Sequence, residues 1–317
     1  MDHQKNRENL CGCYVTMPTM FRDDDLELNL PAMRRHVEFL IDGGIRTGTG
    51  VLLVCGAAGD FQTMTFEERM QATEAVIEAA DGRVPVAMGA MTTSTRELVQ
   101  LARAAEKIGA AYIQVSPPFY FNHTQGDFIE HFIAGAEAAD ISLILYNTFW
   151  YSMGVSLQAI EEIVDRPNFV GLKWATPDGG RMEFETAITR FADRLSIIDN
   201  QNRYVISHIL GARAIEFHVA NHWPEFGVKL WRLLEEKRYT EAEQGMVDVL
   251  MPYWQIWHEI EQEYIGDGYV DKLCMELVGL DSSRNRPPTR DIRGPYREKM
   301  REMLLACKTP RVRASDK

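Results

Sequence analysis

The chain has 317 residues, 45% of them hydrophobic and 25% charged, a profile suited to one large globular domain with an appendage. Its net charge of −12 argues against a nucleic-acid partner. Its longest apolar run, residues 51–55, falls far short of the roughly 20 residues a membrane helix needs, which argues against a membrane partner. The first ten residues are polar and mixed in charge, without the apolar stretch of a secretory signal, so the expected location is cytoplasmic. Five cysteines, Cys11, Cys13, Cys55, Cys274 and Cys307, are an odd set; the C-x-C pair has no second pair or clustered histidines to complete a zinc site. They are expected as buried thiols in a reducing compartment.

Along the chain, short apolar runs alternate with segments of helical period. Strands are predicted over 13–16, 50–55, 84–89, 112–116, 142–147, 169–174, 195–199 and 214–219. Helices are predicted over 31–42, 66–80, 96–108, 128–139, 157–164 and 224–237, among eight in all. Thr65 with Glu68, and Ser94 with Glu97, have capping-box spacing. Eight strand–helix units with short connections predict a parallel sheet closed as a (β/α)8 TIM barrel over residues 1–238. A doubly wound open sheet is disfavoured, because no G-x-G-x-x-G follows the first strand. After residue 238 the strand pattern stops, and 239–317 reads as a C-terminal helical appendage with a proline-rich break at Arg286-Pro287-Pro288. The basic tail from Lys308 onward is expected as a frayed, solvated end.

Alternation along the sixth strand puts Val170, Leu172 and Trp174 on one face, toward the helices, and Gly171, Lys173 and Ala175 on the other, toward the interior. Desolvating an ammonium is expensive, so an inward lysine on an apolar strand needs a reason. The alternative is a lysine at the barrel mouth whose head reaches water. Of nine lysines, the other eight fall on predicted helices or near the termini. On the fifth strand, Tyr146 at the carboxyl end can relay protons to a neighbouring amine, or simply pack. The second strand ends in Gly56-Ala57-Ala58-Gly59-Asp60, a turn whose amides suit a carboxylate. On the eighth strand, Glu216 and His218 share a face, as substrate contacts or acid–base groups. Adding His222 suggests a metal cluster, but the i, i+4 spacing serves only on a helix and this segment reads as strand and turn; no metal or other cofactor is expected.

Together these residues resemble the dihydrodipicolinate synthase / N-acetylneuraminate lyase superfamily over roughly residues 13–300. Gly56-Ala57-Ala58-Gly59-Asp60 stands where that family has a Gly-Thr-Thr-Gly-Glu-type carboxylate loop. Ser116-Pro117-Pro118-Phe119-Tyr120, Tyr146-Asn147, Gly171-Leu172-Lys173, Val219-Ala220-Asn221 and Arg286-Pro287-Pro288 follow in the family's order. The resemblance implies a class I lyase: Lys173 forms a Schiff base with pyruvate or another 2-oxo acid, Tyr146 shuttles protons, and the amides around Ala57 and Ala58 hold the carboxylate. It also implies a homotetramer or homodimer, in which Tyr120 reaches a neighbouring subunit's site.

The departures are as informative. Ala57 and Ala58 replace two threonines, and the arginine expected soon after the Tyr-Asn pair is absent from Thr148-Phe149-Trp150-Tyr151-Ser152. Glu216 stands at a usually apolar position. These changes argue against dihydrodipicolinate synthesis, while Phe119, Phe121, Phe149, Trp150 and Tyr151 suggest a bulkier substrate or inter-loop packing. The expected function is a Schiff-base aldolase, hydratase-aldolase or dehydratase. The alternatives are a catalytically silent ligand-binding or regulatory relative, and a metal-dependent barrel enzyme using Glu216, His218 and His222.

Overall fold

The computed structural model describes residues 1–176 and 181–313. Eight parallel strands close into a barrel in chain order: β1 (Gly12–Thr16), β2 (Gly50–Val54), β3 (Val86–Gly89), β4 (Tyr112–Val115), β5 (Ser142–Asn147), β6 (Phe169–Trp174), β7 (Ser196–Asp199) and β8 (Ala214–Glu216). Strands β8 and β1 pair in register, Tyr14 opposite Glu216, which shuts the barrel. Helix α1 (His3–Asn9) precedes it. The connecting helices are α2 (Leu30–Asp42), α3 (Phe66–Ala80), α4 (Thr95–Ile108), α5 (Gln125–Ala138), α6 (Leu157–Ile163), α7 (Arg181–Phe191), α8 (Tyr204–Leu210) and α9 (Pro224–Glu235). The fold is a (β/α)8 TIM barrel with C-terminal helices. Those helices are α10 (Tyr239–Gly245), α11 (Met251–Glu261), α12 (Tyr269–Leu277) and α13 (Arg293–Ala306), with a π-turn at Met246–Leu250 joining α10 to α11.

Two compact units divide the chain. The first comprises Met1–Tyr14, Arg46–Leu53 and Gly82–Glu216; the second comprises Val15–Ile45, Val54–Asp81 and the chain from Phe217 onward. In the first, an apolar floor fills the barrel: Leu10, Val51, Leu53, Ala87, Tyr112, Ile144, Ile198 and Ala214 are buried together. Gly171 belongs to this floor for lack of space, since a Cβ there would lie 2.4 Å from Leu10 Cδ2. Val170 departs from the alternation. The register against β5 slips between Leu143 and Ile144, so Phe169 faces Leu143 and Gly171 faces Ile144, and Val170 joins the interior cluster instead of the helix-facing side.

Local chemistry explains the element ends. Thr65 and Glu68 form the capping box at the start of α3. The box expected at Ser94 does not form: Thr92, two residues earlier, donates its hydroxyl to Glu97, and its oxygen accepts from the Ser94 amide. All five cysteines are buried thiols. The tail is tied down as far as described, because Arg311 makes a bidentate pair with Glu225 and the Arg313 amide donates to Leu277 O; residues 314–317 lie outside the described residues. Among the described residues no helix is long and apolar enough to cross a membrane.

Candidate active site

In the first unit, four strands change character at one height. Two residues beyond the floor positions Tyr112, Ile144, Gly171 and Ala214, on the same faces, stand Gln114, Tyr146, Lys173 and Glu216. Period-2 alternation therefore builds a polar layer over an apolar floor at the carboxyl ends of the strands, where barrel enzymes place their chemistry. Lys173 and Glu216 are each only 4% exposed. Lys173 Nζ lies 3.9 Å from Glu216 Oε1, beyond a hydrogen bond but close enough to pair. Opposite charges at about 4 Å attract by about 4 kcal/mol at an effective dielectric near 20, which offsets part of the cost of burying both.

Two aromatic faces complete the surroundings. Nζ sits 4.8 Å from the Tyr146 ring centroid and 5.3 Å from that of Tyr14. The Tyr14 hydroxyl donates to Gln114 Oε1 at 3.0 Å. Burial, then Tyr112, then Glu216 push the Tyr14 phenol well above its ordinary value, so it stays a donor. The Tyr146 hydroxyl accepts from Asn200 Nδ2 at 3.5 Å. Tyr204 donates to the Glu216 backbone carbonyl and anchors the end of β8.

Asn147 explains why the loop after β5 folds back. Its side-chain amide donates to Val155 O at 3.0 Å and its oxygen accepts from Val155 N at 2.8 Å. The span between returns two rings to Tyr146: Trp150 at 5.9 Å and Tyr151 at 6.2 Å between centroids. Phe119 packs edge-on against Tyr151 at 5.7 Å. Tyr120 stands apart, 85% exposed with its ring against Phe121, which is also exposed. On the outward faces of β5 and β6 lies a cavity of about 210 Å³ lined by Asn147, Thr148, Phe149 and Trp174, among others. Trp174 stacks on Phe184, as its helix-facing position requires.

In the second unit, the 56–60 turn closes on itself: the Gly59 amide donates to Gly56 O and the Asp60 amide to Ala57 O. A Cβ on Gly59 would lie 3.0 Å from the backbone of Cys55 and Gly56, so the turn's tightness demands glycine there. Gly268, entering α12, is equally constrained, with its missing Cβ 2.2 Å from Ala58 O. Asp60 is buried and accepts from Lys272 Nζ at 2.8 Å. Burial pulls Lys272 below and Asp60 above their ordinary values, and each charge opposes that pull on its partner.

The strand expected over 214–219 stops at Glu216. From Phe217 the backbone bonds to itself, Ala220 N donating to Phe217 O, and His218 opens a 3-10 turn, His218–Asn221, instead of continuing the strand face of Glu216. His218 Nδ1 lies 2.7 Å from Asp271 Oδ2 and its ring packs against Trp257 and Trp254. Tyr253 donates to the other Asp271 oxygen, and His222 stacks on Tyr253.

Sequence reasoning passed over Tyr14, Gln114, Asn200 and Lys272. Period-2 alternation on the first and fourth strands carries the signal for Tyr14 and Gln114. Lys272 sits in the apolar run Tyr269-Val270-Asp271-Lys272-Leu273-Cys274-Met275, where a lone lysine is conspicuous.

Comparison with known proteins bears on this arrangement. The chain is 25% identical over 295 residues to the 4-hydroxy-tetrahydrodipicolinate synthase of Methanospirillum hungatei, covering 92% of this chain and 98% of that protein. It is 29% identical over 296 residues to the synthase of Methanosphaerula palustris, with the same coverage of 92% and 98%. The crystal structure of dihydrodipicolinate synthase from Aquifex aeolicus matches with a TM-score of 0.81 at 26% identity, covering 95% of this chain and 99% of that one. The model of the dihydrodipicolinate synthetase family matches residues 9–307, nearly the whole length, and the chain belongs to that family.

Proposed function

We propose that this chain is a class I, Schiff-base-forming lyase acting on pyruvate or another 2-oxo acid. Its reaction is an aldol cleavage, a hydratase-aldolase step or a dehydration rather than dihydrodipicolinate synthesis. The observation that carries the reading is Lys173: a buried amine at the carboxyl end of a barrel strand, beside a carboxylate and two tyrosines. A structural lysine has no need of that place, whereas a nucleophilic amine needs a site that favours loss of its proton. The Schiff base turns the keto carbon into an electron sink, which weakens the bonds at the neighbouring carbons. Tyr146 serves as the proton relay, with Asn200 holding its hydroxyl. Taken by itself, the 56–60 turn is a carboxylate cradle that rests on the amides of residues 56–58, since those of Gly59 and Asp60 bond within the turn.

Against dihydrodipicolinate synthesis stand Ala57 and Ala58, which bring no hydroxyl, and the arginine-free stretch 148–152. Trp150 and Tyr151 beside Tyr146 favour a bulky, apolar portion in the substrate. Exposed Tyr120 and Phe121 fit a homotetramer or homodimer in which a second copy covers them, a point that sedimentation velocity decides. The same two alanines favour a second reading, ligand binding without turnover, which tight calorimetric binding with no product would support.

The test is reductive trapping. The protein is incubated with pyruvate, 2-oxobutyrate and a set of aryl-substituted 2-oxo acids in the presence of borohydride, then weighed and mapped by peptide mass. One adduct per chain on Lys173 is expected. No adduct with any of them sinks the proposal.

A further inference from the structure

Within the polar layer, Glu216 stands at a position that is usually apolar in the family the chain resembles. Ala214 lies in the apolar floor, so the next residue on that face of β8 enters the barrel as a buried carboxylate at the height of Lys173. The pairing of β8 with β1 puts Tyr14 beside Glu216, and Tyr204 fixes the Glu216 carbonyl from the strand's end, so the position is held from two sides. Tyr14 and Tyr146 present ring faces to Nζ, and their hydroxyls meet Gln114 and Asn200. Glu216 presents an oxygen at 3.9 Å.

We propose that Glu216 is the general base that takes the C3 proton of the Lys173 iminium, a reading that rests on the Schiff-base function above. First, the Lys173 ammonium gives one proton to solvent. The freed amine attacks C2 of the 2-oxo acid: the N–C2 bond forms and the C=O π pair moves to oxygen. The oxygen collects one proton from nitrogen and one from solvent, then leaves as water. Ammonium and ketone have given iminium and water, with no proton taken or given by Glu216 up to this point. C3 is two bonds from Nζ, so an iminium rotated with C3 toward Glu216 brings it within reach of the near-attack separation of about 3–3.5 Å from an oxygen that lies 3.9 Å from Nζ. Glu216 then removes the C3 proton, the C3–H pair forms the C2=C3 bond, and the C2=N π pair returns to nitrogen as the neutral enamine. A carboxylate in this place also repels an anionic group at C4, so the reaction partner beyond C3 is neutral or hydroxylated.

The experiment follows loss of the pyruvate methyl proton signal in D2O for wild type, Glu216→Gln and Glu216→Asp, with borohydride trapping on each. Wild type should trap an adduct and exchange its methyl protons. Glu216→Gln should still trap the adduct but exchange at least about 100-fold more slowly, and Glu216→Asp should recover part of the rate. Trapping by the variant, together with an unchanged circular dichroism spectrum, certifies that it is folded. The assignment is overturned if Glu216→Gln exchanges within about 3-fold of wild type, if a folded Glu216→Gln traps nothing, or if wild type traps pyruvate without exchange. A wild type that traps no 2-oxo acid at all overturns the Schiff-base reading as well, so the two failures are distinct.

Discussion

Among the described residues two lysines are buried, and their surroundings differ in kind. Lys272, on α12 in the second unit, has its Nζ 2.8 Å from Asp60 Oδ2, with the Phe21 ring 4.8 Å away. Lys173, on β6 in the first unit, has the Glu216 carboxylate at 3.9 Å and two tyrosine rings alongside. The first is a hydrogen-bonded ion pair that ties a helix to a tight turn. The second is a looser pair, in which a proton can leave the nitrogen without breaking a direct hydrogen bond to that carboxylate. Burial alone thus does not assign a lysine its role; the two differ in how closely the carboxylate each one faces approaches its ammonium.

Exchanging the two roles is the strongest way to break that comparison. Lys173→Arg keeps a cation beside Glu216 but cannot form an imine. It should abolish borohydride trapping and lower turnover at least about 10⁴-fold, while thermal unfolding stays cooperative. Adduct found by peptide mapping on Lys272 in wild type would collapse the distinction. Lys272→Met should do the opposite, leaving Asp60 buried without its counter-charge at a stability cost of about 3–5 kcal/mol in denaturant titration. Adding Asp60→Asn, a residue that tolerates the left-handed backbone at that position, should recover most of that loss, because it removes the uncompensated charge. A double variant as unstable as the single one would mean that Lys272 acts by something other than pairing.

The contrast between these lysines was only half legible in the sequence. Strands β5 and β6 were readable to the residue, because unbroken apolar runs between helical segments leave no other assignment for a parallel barrel. The same alternation pointed Lys173, Tyr146 and Glu216 inward. It misplaced Val170, because a register slip between neighbouring strands depends on the partner strand and leaves no mark in the local pattern. It carried β8 on to Val219, because Phe217-His218-Val219 has strand composition while the backbone there bonds to itself in a 3-10 turn. Lys272 was passed over because a helical lysine is normally solvated, and its burial depends on Asp60, 212 positions away. Strand alternation is a local signal; long-range pairing of charges is not.

Acid should probe the two units unequally. Burial holds His36 down at about 4 and His222 at about 3 in the second unit, and His131 at about 4 in the first. Each is depressed from its ordinary value near 6.5, so each contributes stability above that pH and loses it as the pH falls toward its folded value. The slope is about 1.4 kcal/mol per pH unit for each group. Asp199 works the other way, since burial raises it to about 6 and the folded state then holds a proton that the unfolded chain releases. Between about pH 6 and 4 it offsets one of the three histidines. Asp60, raised likewise, offsets further, so stability by denaturant titration should fall on acidification below about pH 6.5 with a net slope of at most about two protons lower down. His222→Gln should flatten it by about one proton. A profile flat from pH 7 to 4.5 would contradict the burial of these imidazoles.

The smallest expected effect tests the surroundings of Lys173 directly. Tyr14→Phe keeps the ring 5.3 Å from Lys173 Nζ and removes only the hydroxyl donated to Gln114. If Tyr14 serves Lys173 through its ring face, trapping of the 2-oxo acid should proceed within about 3-fold of wild type. The loss should appear instead in stability, at about 1–2 kcal/mol, because Gln114 Oε1 is buried and loses a donor. If the hydroxyl instead carries protons to the amine, trapping should slow by about 100-fold or more with little change in stability. The phenol is held far above its ordinary value by burial and by its neighbours Tyr112 and Glu216, so losing its proton is costly at neutral pH. That favours the first outcome, in which the hydroxyl is a structural donor to Gln114 and the ring is the part of Tyr14 that faces Lys173.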